Sequence, residues 1–147
     1  MKSNPEVVKM LNVALSMELG STLQYLHHHW TGEGFESESI LPVFSKFAID
    51  EMKHAEKVAE RINFLGGNPT ISPTGVRVRK DRDLRKMVED DLAGEYDAIE
   101  YYRKIIKLCN GVGDTTTRLM MEEILSTEEE HADKWETLLE KGSNIKR

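Results

Sequence analysis

Two copies of a Glu-x-x-His motif offer side chains that metal ions bind. Glu51 and His54 lie in the segment EMKHAEK, and Glu128 and His131 lie in EEEHADK. Residues three apart share one face of an α-helix, so each carboxylate can converge with its imidazole on one ion. A single motif of this kind is more often a solvated helical turn than a site. Its repetition in one chain is therefore the informative feature.

Both motifs belong to a longer repeat with a constant offset of 77 residues. The matched pairs are Glu18/Glu95, Tyr25/Tyr102, Glu51/Glu128 and His54/His131. Within each half, the Glu and the Tyr that are seven residues apart return to nearly the same helical face after two turns. The shared offset indicates two similar halves that build one site together.

The helix faces that carry these carboxylates are otherwise apolar. Their apolar members include Leu11, Ala14, Leu15, Phe44, Phe47, Ala48, Val58 and Ile62. Burying four carboxylates without partners would cost several kcal/mol each, and no Lys or Arg lies on these faces. Two divalent cations would balance the charge, and oxygen and imidazole ligands suit Fe or Mn better than structural Zn. The sequence therefore predicts a dinuclear metal centre.

Four long segments with apolar residues at helical spacing must position these groups. The first predicted helix runs from Pro5 to about Trp30 with Ser3 or Asn4 as N-cap, and the second runs from Ser39 to Gly66-Gly67 with Pro42 in its first turn. The third runs from after Asp81 to Asn110, and the fourth runs from its cap Asp114 to about Lys141. Gly111 and Gly113 are expected to end the third helix.

The lengths of the connections predict the topology. Short links join the first helix to the second and the third to the fourth, which favours two antiparallel hairpins. The stretch from Gly66 to Lys80 can extend to roughly 50 Å, more than the length of a helix in this bundle. We therefore expect an all-α four-helix bundle, one domain over residues 1–147, with a long crossover between parallel second and third helices.

Composition excludes several classes of protein. A chain of 147 residues with net charge −6 and 31% charged residues fits one soluble domain rather than a membrane protein, and its acidic balance disfavours nucleic acid as the main partner. The lone Cys109 permits no internal disulfide and no site with four cysteine ligands. The first residues lack the apolar run of a secretory signal, so we expect a cytoplasmic location.

The chain resembles the ferritin-like di-iron carboxylate superfamily and, within it, the bacterioferritins. The segments that carry this resemblance are DEMKHAEKVAERI from Asp50, DLAGE from Asp91 and MMEEIL from Met120. The resemblance implies a ferroxidase centre with Glu18 and Glu95 as terminal ligands, Glu51 and Glu128 as bridging ligands, and His54 and His131 as nitrogen ligands. It also implies that Tyr25 lies beside that centre.

The function implied is storage and detoxification of iron. Fe(II) would be oxidised by O2 or H2O2 at the di-iron centre, and the product would be stored in a homo-oligomeric shell. A rubrerythrin-like peroxidase is an alternative, although such proteins usually need a rubredoxin module that this chain lacks. A DNA-protecting miniferritin is another, although its iron sites form between subunits, whereas one chain here holds a complete set of ligands.

The sequence departs from bacterioferritins at two places. No short fifth helix is predicted after the fourth, which leaves a shell of 12 or 24 subunits open. Lys46 stands where some members have a histidine for an iron site on the inner surface. We therefore do not expect that site, which would include Asp50.

A second apolar stripe lies beside the core face of the first hairpin. Its members are Leu19, Leu23, Leu26, Ile49 and Met52, and their counterparts in the second hairpin are mostly polar. Only the first hairpin is therefore expected to bury its outer side, against a twofold-related copy. Bacterioferritins hold haem iron with one methionine from each subunit, so the resemblance implies haem b at Met52. The alternative is that Met52 only packs in this interface.

Three smaller signals have simple interpretations. His27, His28 and His29 point in three directions on a helix and indicate a solvated helix end. Cys109 is interpreted as a packing residue. Either Tyr25 or Tyr102 can hydrogen-bond a site ligand; the resemblance favours Tyr25, which leaves Tyr102 as a core residue.

Overall fold

The computed structural model describes residues 4–145, with the side chains of residues 4–140. It contains four helices: α1 (Pro5–Thr31), α2 (Ser37–Phe64), α3 (Leu84–Val112) and α4 (Thr115–Ile145). The predicted four-helix bundle is confirmed. None of these helices combines the length and apolar character that a membrane span requires.

The helix ends follow local chemistry, with small differences from prediction. The side chain of Asn4 caps α1, and Ser3, the other predicted cap, lies outside the described residues. Helix α2 begins at Ser37, so Pro42 lies in its second turn rather than its first. Helix α3 continues through Gly111 to Val112 and is capped by Gly113, whose φ of 77° is a left-handed conformation that glycine adopts without strain. Helix α4 extends beyond Lys141.

Two hydrophobic clusters fix the direction of the helices. One cluster joins the beginning of α1 and of α4 to the ends of α2 and α3, and it includes Leu11, Ile62, Ile105 and Met121. The other joins the opposite helix ends and includes Tyr25, Phe44, Met87 and Trp135. Helices α1 and α2 are therefore antiparallel, as are α3 and α4, while α2 and α3 run parallel, as predicted.

The crossover between α2 and α3 lies along α1. Asn12 exchanges hydrogen bonds with Asn68 and Thr70, and Gln24 exchanges two with Arg77. Between them Thr74 donates to the carbonyl of Ser16. Gly20 permits this approach, because a Cβ there would lie 1.8 Å from the Thr74 carbonyl oxygen. The crossover thus spans the bundle and brings α3 in beside α1.

Candidate metal centre

Six predicted side chains converge midway along the bundle, between the two hydrophobic clusters. They are Glu18 from α1, Glu51 and His54 from α2, Glu95 from α3, and Glu128 and His131 from α4. None of the six is more than 6% exposed. The helical spacing that predicted one shared face on each helix therefore aims these groups at one another.

The six groups form two overlapping sets of possible ligands. Glu18, Glu51, His54 and Glu128 make one set, and Glu51, Glu95, Glu128 and His131 make the other. Within each set, one donor atom from every residue lies within 4.8 Å of the others. Glu51 and Glu128 belong to both sets, which is the arrangement that two carboxylates bridging a pair of ions require.

Both imidazoles turn Nδ1 toward the carboxylates. His54 Nδ1 lies 2.9 Å from Glu128 Oε1 and 3.6 Å from Glu18 Oε2. His131 Nδ1 lies 3.1 Å from Glu51 Oε1 and 3.2 Å from Glu95 Oε1. Each histidine thus offers the same ring nitrogen to its own set of carboxylates.

The His131 ring has two further supports. Its Nε2 lies 3.0 Å from Asp50 Oδ2, and the ring stacks on Phe47 with 3.8 Å between ring centroids. Asp50 therefore contacts the centre through His131. Lys46 lies exposed on the same helix. The absence of an iron site formed with Asp50 on the inner surface stays a prediction.

The electrostatics of the cluster favour cations. Burial and mutual repulsion raise the pKa of Glu51 and Glu128 well above the usual range. Burial lowers the pKa of His131, but the Glu51 and Glu95 carboxylates outweigh it and raise this pKa to about 10. Among the described residues, the ion-pair partners of these carboxylates are the two imidazoles.

Three buried carboxylate oxygens show that the residues fit a pair of metal ions. No hydrogen bond within the described residues reaches Glu18 Oε2 or Glu95 Oε2, and the 3.1 Å approach of His131 Nδ1 to Glu51 Oε1 lacks the geometry of a hydrogen bond. An unsatisfied buried acceptor costs about 1–3 kcal/mol. Two divalent cations would coordinate these oxygens and balance the four carboxylates. The hard oxygen and imidazole donors fit Fe or Mn.

Two tyrosines donate to the carboxylates in a reciprocal pattern. Tyr25 on α1 donates to Glu95 Oε1 at 2.6 Å, and Tyr102 on α3 donates to Glu18 Oε1 at 2.6 Å. Trp135 Nε1 in turn donates to the Tyr25 oxygen at 3.0 Å. Burial and the nearby carboxylates raise the pKa of both phenols, so both remain donors. The interpretation of Tyr102 as a core residue alone is wrong.

A buried His28–Asp91 pair lies beyond Tyr25. His28 is 1% exposed, so the prediction of a solvated helix end is wrong for this residue. Its Nδ1 lies 2.8 Å from Asp91 Oδ2, and Gln24 bonds its Nε2. Burial raises the pKa of Asp91 to about 7, although His28 opposes the shift. One signal was available: His28 follows Tyr25 by three residues and so shares its inward face.

A cleft connects this region to the surface. It has a volume of 340 Å³ and lies between α1, the crossover and α3. Tyr25, Asp91 and Glu95 line its inner part, and Gln24 and Asp90 also contribute. The cleft therefore gives solvent a path toward the Glu95 side of the centre.

The stripe predicted on the outer side of the first hairpin is accessible in the single chain. Met52 and Ile49 are each 47% exposed, and Leu23 is 44% exposed. Leu19 and Leu26 are partly buried against the core. Cys109 is buried in the first hydrophobic cluster, where it acts as a packing residue as predicted.

The chain is similar to known proteins over nearly its whole length. Residues 8–145 match the family model for the ferritin-like domain. A bacterioferritin from Brucella melitensis is 35% identical over 143 residues, which cover 95% of this chain and 86% of that protein.

Solved structures show the same likeness. Mycobacterium tuberculosis bacterioferritin BfrA superimposes with a TM-score of 0.91 at 33% identity, covering 99% of this chain and 91% of that one. Rhodobacter capsulatus bacterioferritin, solved with a metal-free dinuclear site and haem iron, gives a TM-score of 0.89 at 31% identity, covering 99% and 90%.

Proposed function

Because this chain belongs to the ferritin-like family and is a relative of the bacterioferritins, we propose that it stores and detoxifies iron. It would oxidise Fe(II) with O2 or H2O2 at the dinuclear centre and keep the ferric product inside a protein shell. The observation that supports this most strongly is the pair of overlapping ligand sets that share Glu51 and Glu128.

The proposed roles follow from position in the two sets. Glu18 and His54 would hold one ion, Glu95 and His131 would hold the other, and the carboxylates of Glu51 and Glu128, which belong to both sets, would be shared between them. With two Fe(II) ions bound, the centre supplies two electrons, enough to reduce O2 to H2O2 or H2O2 to water. In the metal-free protein, Glu51 and Glu128 hold protons because their pKa is raised, and they would release these protons when the metal ions bind.

Residues around the centre orient these groups. Tyr25, held by Trp135, places the Glu95 carboxylate, and Asp50 sets the angle of the His131 ring. The hydrophobic clusters on either side limit the access of bulk water to the carboxylates to the cleft beside Glu95, which strengthens the attraction of the carboxylates for cations.

The same proposal includes a cytoplasmic shell of 12 or 24 copies built from twofold dimers. The exposed stripe around Met52 supports a dimer, since apolar surface at that place is buried most simply against its own copy. Haem b between two Met52 side chains is the cofactor proposed for that axis. The Rhodobacter capsulatus relative contains haem iron at a crystallographic special position.

Aerobic titration with Fe(II) tests the proposal. We expect a fast oxidation phase that saturates at about two Fe(II) per chain before mineral grows. Glu128→Gln should abolish that phase, whereas Glu130→Gln, an exposed carboxylate two residues away, should preserve it. Fast oxidation by the Glu128→Gln variant would show that the site is assigned wrongly. Light scattering tests the shell, and a monomer would contradict storage.

A further inference from the structure

The two tyrosines of the repeat donate reciprocal hydrogen bonds to Glu18 and Glu95, the two carboxylates that each belong to one ligand set only. The Tyr102 hydrogen bond to Glu18 and the Tyr25 hydrogen bond to Glu95 have the same length, 2.6 Å. Each bond joins α1 to α3, in opposite directions. Both phenols are buried, at 1% and 2% exposure. The repeat in the sequence is therefore also a repeat of contacts at the centre.

Each phenol occupies one oxygen of its carboxylate and leaves the other free. Tyr102 bonds Glu18 Oε1, and Glu18 Oε2 is buried without a hydrogen-bond partner. That free oxygen is the one that lies 3.6 Å from His54 Nδ1, in the first ligand set. The same division holds for Glu95, where Oε1 is bonded and Oε2 is free.

We propose that Tyr102 is a positioning residue of the dinuclear centre, which holds Glu18 so that Oε2 binds the metal ion on the His54 side. This inference rests on the proposed function, because it assigns a role within the same site. It predicts an effect on one of the two ions and not on the other.

The two halves differ in how strongly their carboxylates are supported. Glu95 Oε1 accepts from Tyr25 and also from His131 Nδ1 at 3.2 Å, and Tyr25 is itself held by Trp135. The Glu18 side chain accepts a hydrogen bond from Tyr102, whereas His54 Nδ1 stays 3.6 Å from its other oxygen.

The residue that corresponds to Trp135 in the first half is Val58, which has no side-chain donor. Tyr102 therefore lacks the second support that Tyr25 has, and Glu18 is held by fewer neighbouring donors than Glu95. Loss of the Tyr102 hydroxyl should weaken metal binding more than loss of the Tyr25 hydroxyl.

Co(II) binding, followed by its visible absorption, tests the proposal without relying on iron oxidation. Tyr102→Phe removes one oxygen and should weaken one of the two Co(II) equivalents about tenfold, as expected for a hydrogen bond to a charged group. Tyr25→Phe is the matched control and should weaken the other equivalent by less. Thermal melting verifies that each variant is folded.

Histidine variants identify which ion is affected. In His131→Ala, which retains the ligands of the Glu18 side, adding Tyr102→Phe should lower Co(II) affinity about tenfold. In His54→Ala, which retains the Glu95 side, the same change should alter affinity less than twofold. An unchanged affinity in the first background, or an equal fall in both, would overturn the assignment of Tyr102. A parent chain that fails to bind two Co(II) ions would instead overturn the proposed dinuclear function.

Discussion

His131 Nε2 lies 3.0 Å from Asp50 Oδ2, while Nδ1 of the same ring faces the carboxylates of Glu51 and Glu95. Asp50 on α2 thereby fixes the orientation of a histidine on α4. Phe47, one turn earlier on α2, stacks on the same ring. The second helix thus supplies two of the proposed ligands, Glu51 and His54, and also holds a proposed ligand of the fourth helix.

Asp50→Ala should lower the affinity of the His131 side for divalent metal. Carboxylate partners of metal-binding histidines typically contribute 10- to 100-fold to affinity, so one of two Co(II) equivalents should weaken by about that factor. Isothermal titration measures both equivalents. Asp133→Ala, which removes an exposed carboxylate two residues from His131, is the control. Equal affinities in Asp50→Ala and the parent would show that Phe47 alone orients the ring.

The metal-free protein should lose stability as pH rises. The pKa of His131 is about 10 in the fold, against about 6.5 in an unfolded chain. Its contribution is fully present below pH 6.5 and is lost as the pH approaches 10, because the folded state binds the proton more tightly. The raised pKa of Glu51 and Glu128 also makes the folded state lose stability as the pH rises, and this loss begins at lower pH than that of His131.

Urea denaturation in the presence of a chelator measures this dependence. The midpoint should fall between about pH 6.5 and pH 9.5, and His131→Gln should reduce the slope. Saturating Co(II) should reverse the trend, since metal and protons compete for the same ligands. A midpoint that rises with pH in the chelated protein would contradict the electrostatic description of the centre.

His28→Leu should destabilise the fold by about 1–3 kcal/mol, because it leaves the buried Asp91 carboxyl group without its hydrogen-bond partner. The double variant His28→Leu/Asp91→Leu should recover much of that loss. His27→Leu is the matched control: Nδ1 of His27 is buried and makes no hydrogen bond within the described residues, so its loss should be tolerated. Equal costs for His27→Leu and His28→Leu would refute a special role for the pair.

Met52→Leu tests the proposed haem. Protein produced with adequate haem should show a Soret band, and this substitution should remove the band without dissociating the dimer, because leucine preserves the apolar surface. Absorption spectra and sedimentation give the two measurements. Met10→Leu, at a partly buried methionine of the first cluster, should keep the band. A colourless parent, or a band indifferent to Met52→Leu, would leave Met52 as a packing residue.

The sequence alone determined the bundle and the convergence of six side chains. Helical periodicity fixes which residues share a face, so the apolar residues on the same faces placed the four glutamates on inward faces, and the 77-residue offset paired Glu18 with Glu95 and Glu51 with Glu128. The length of the crossover then predicted parallel α2 and α3, which the structure confirms. These features depend on local geometry, which a sequence pattern records directly.

The tertiary structure alone decided how those faces meet. The bonds Tyr25–Glu95, Tyr102–Glu18, His28–Asp91 and His131–Asp50 join residues separated by 63 to 84 positions. Periodicity gives the angle of a side chain on its own helix, but the axial offset and rotation of one helix against another come from packing of the whole core. For this reason Tyr102 and His28 became contacts of the centre and its surroundings only when the helices were assembled.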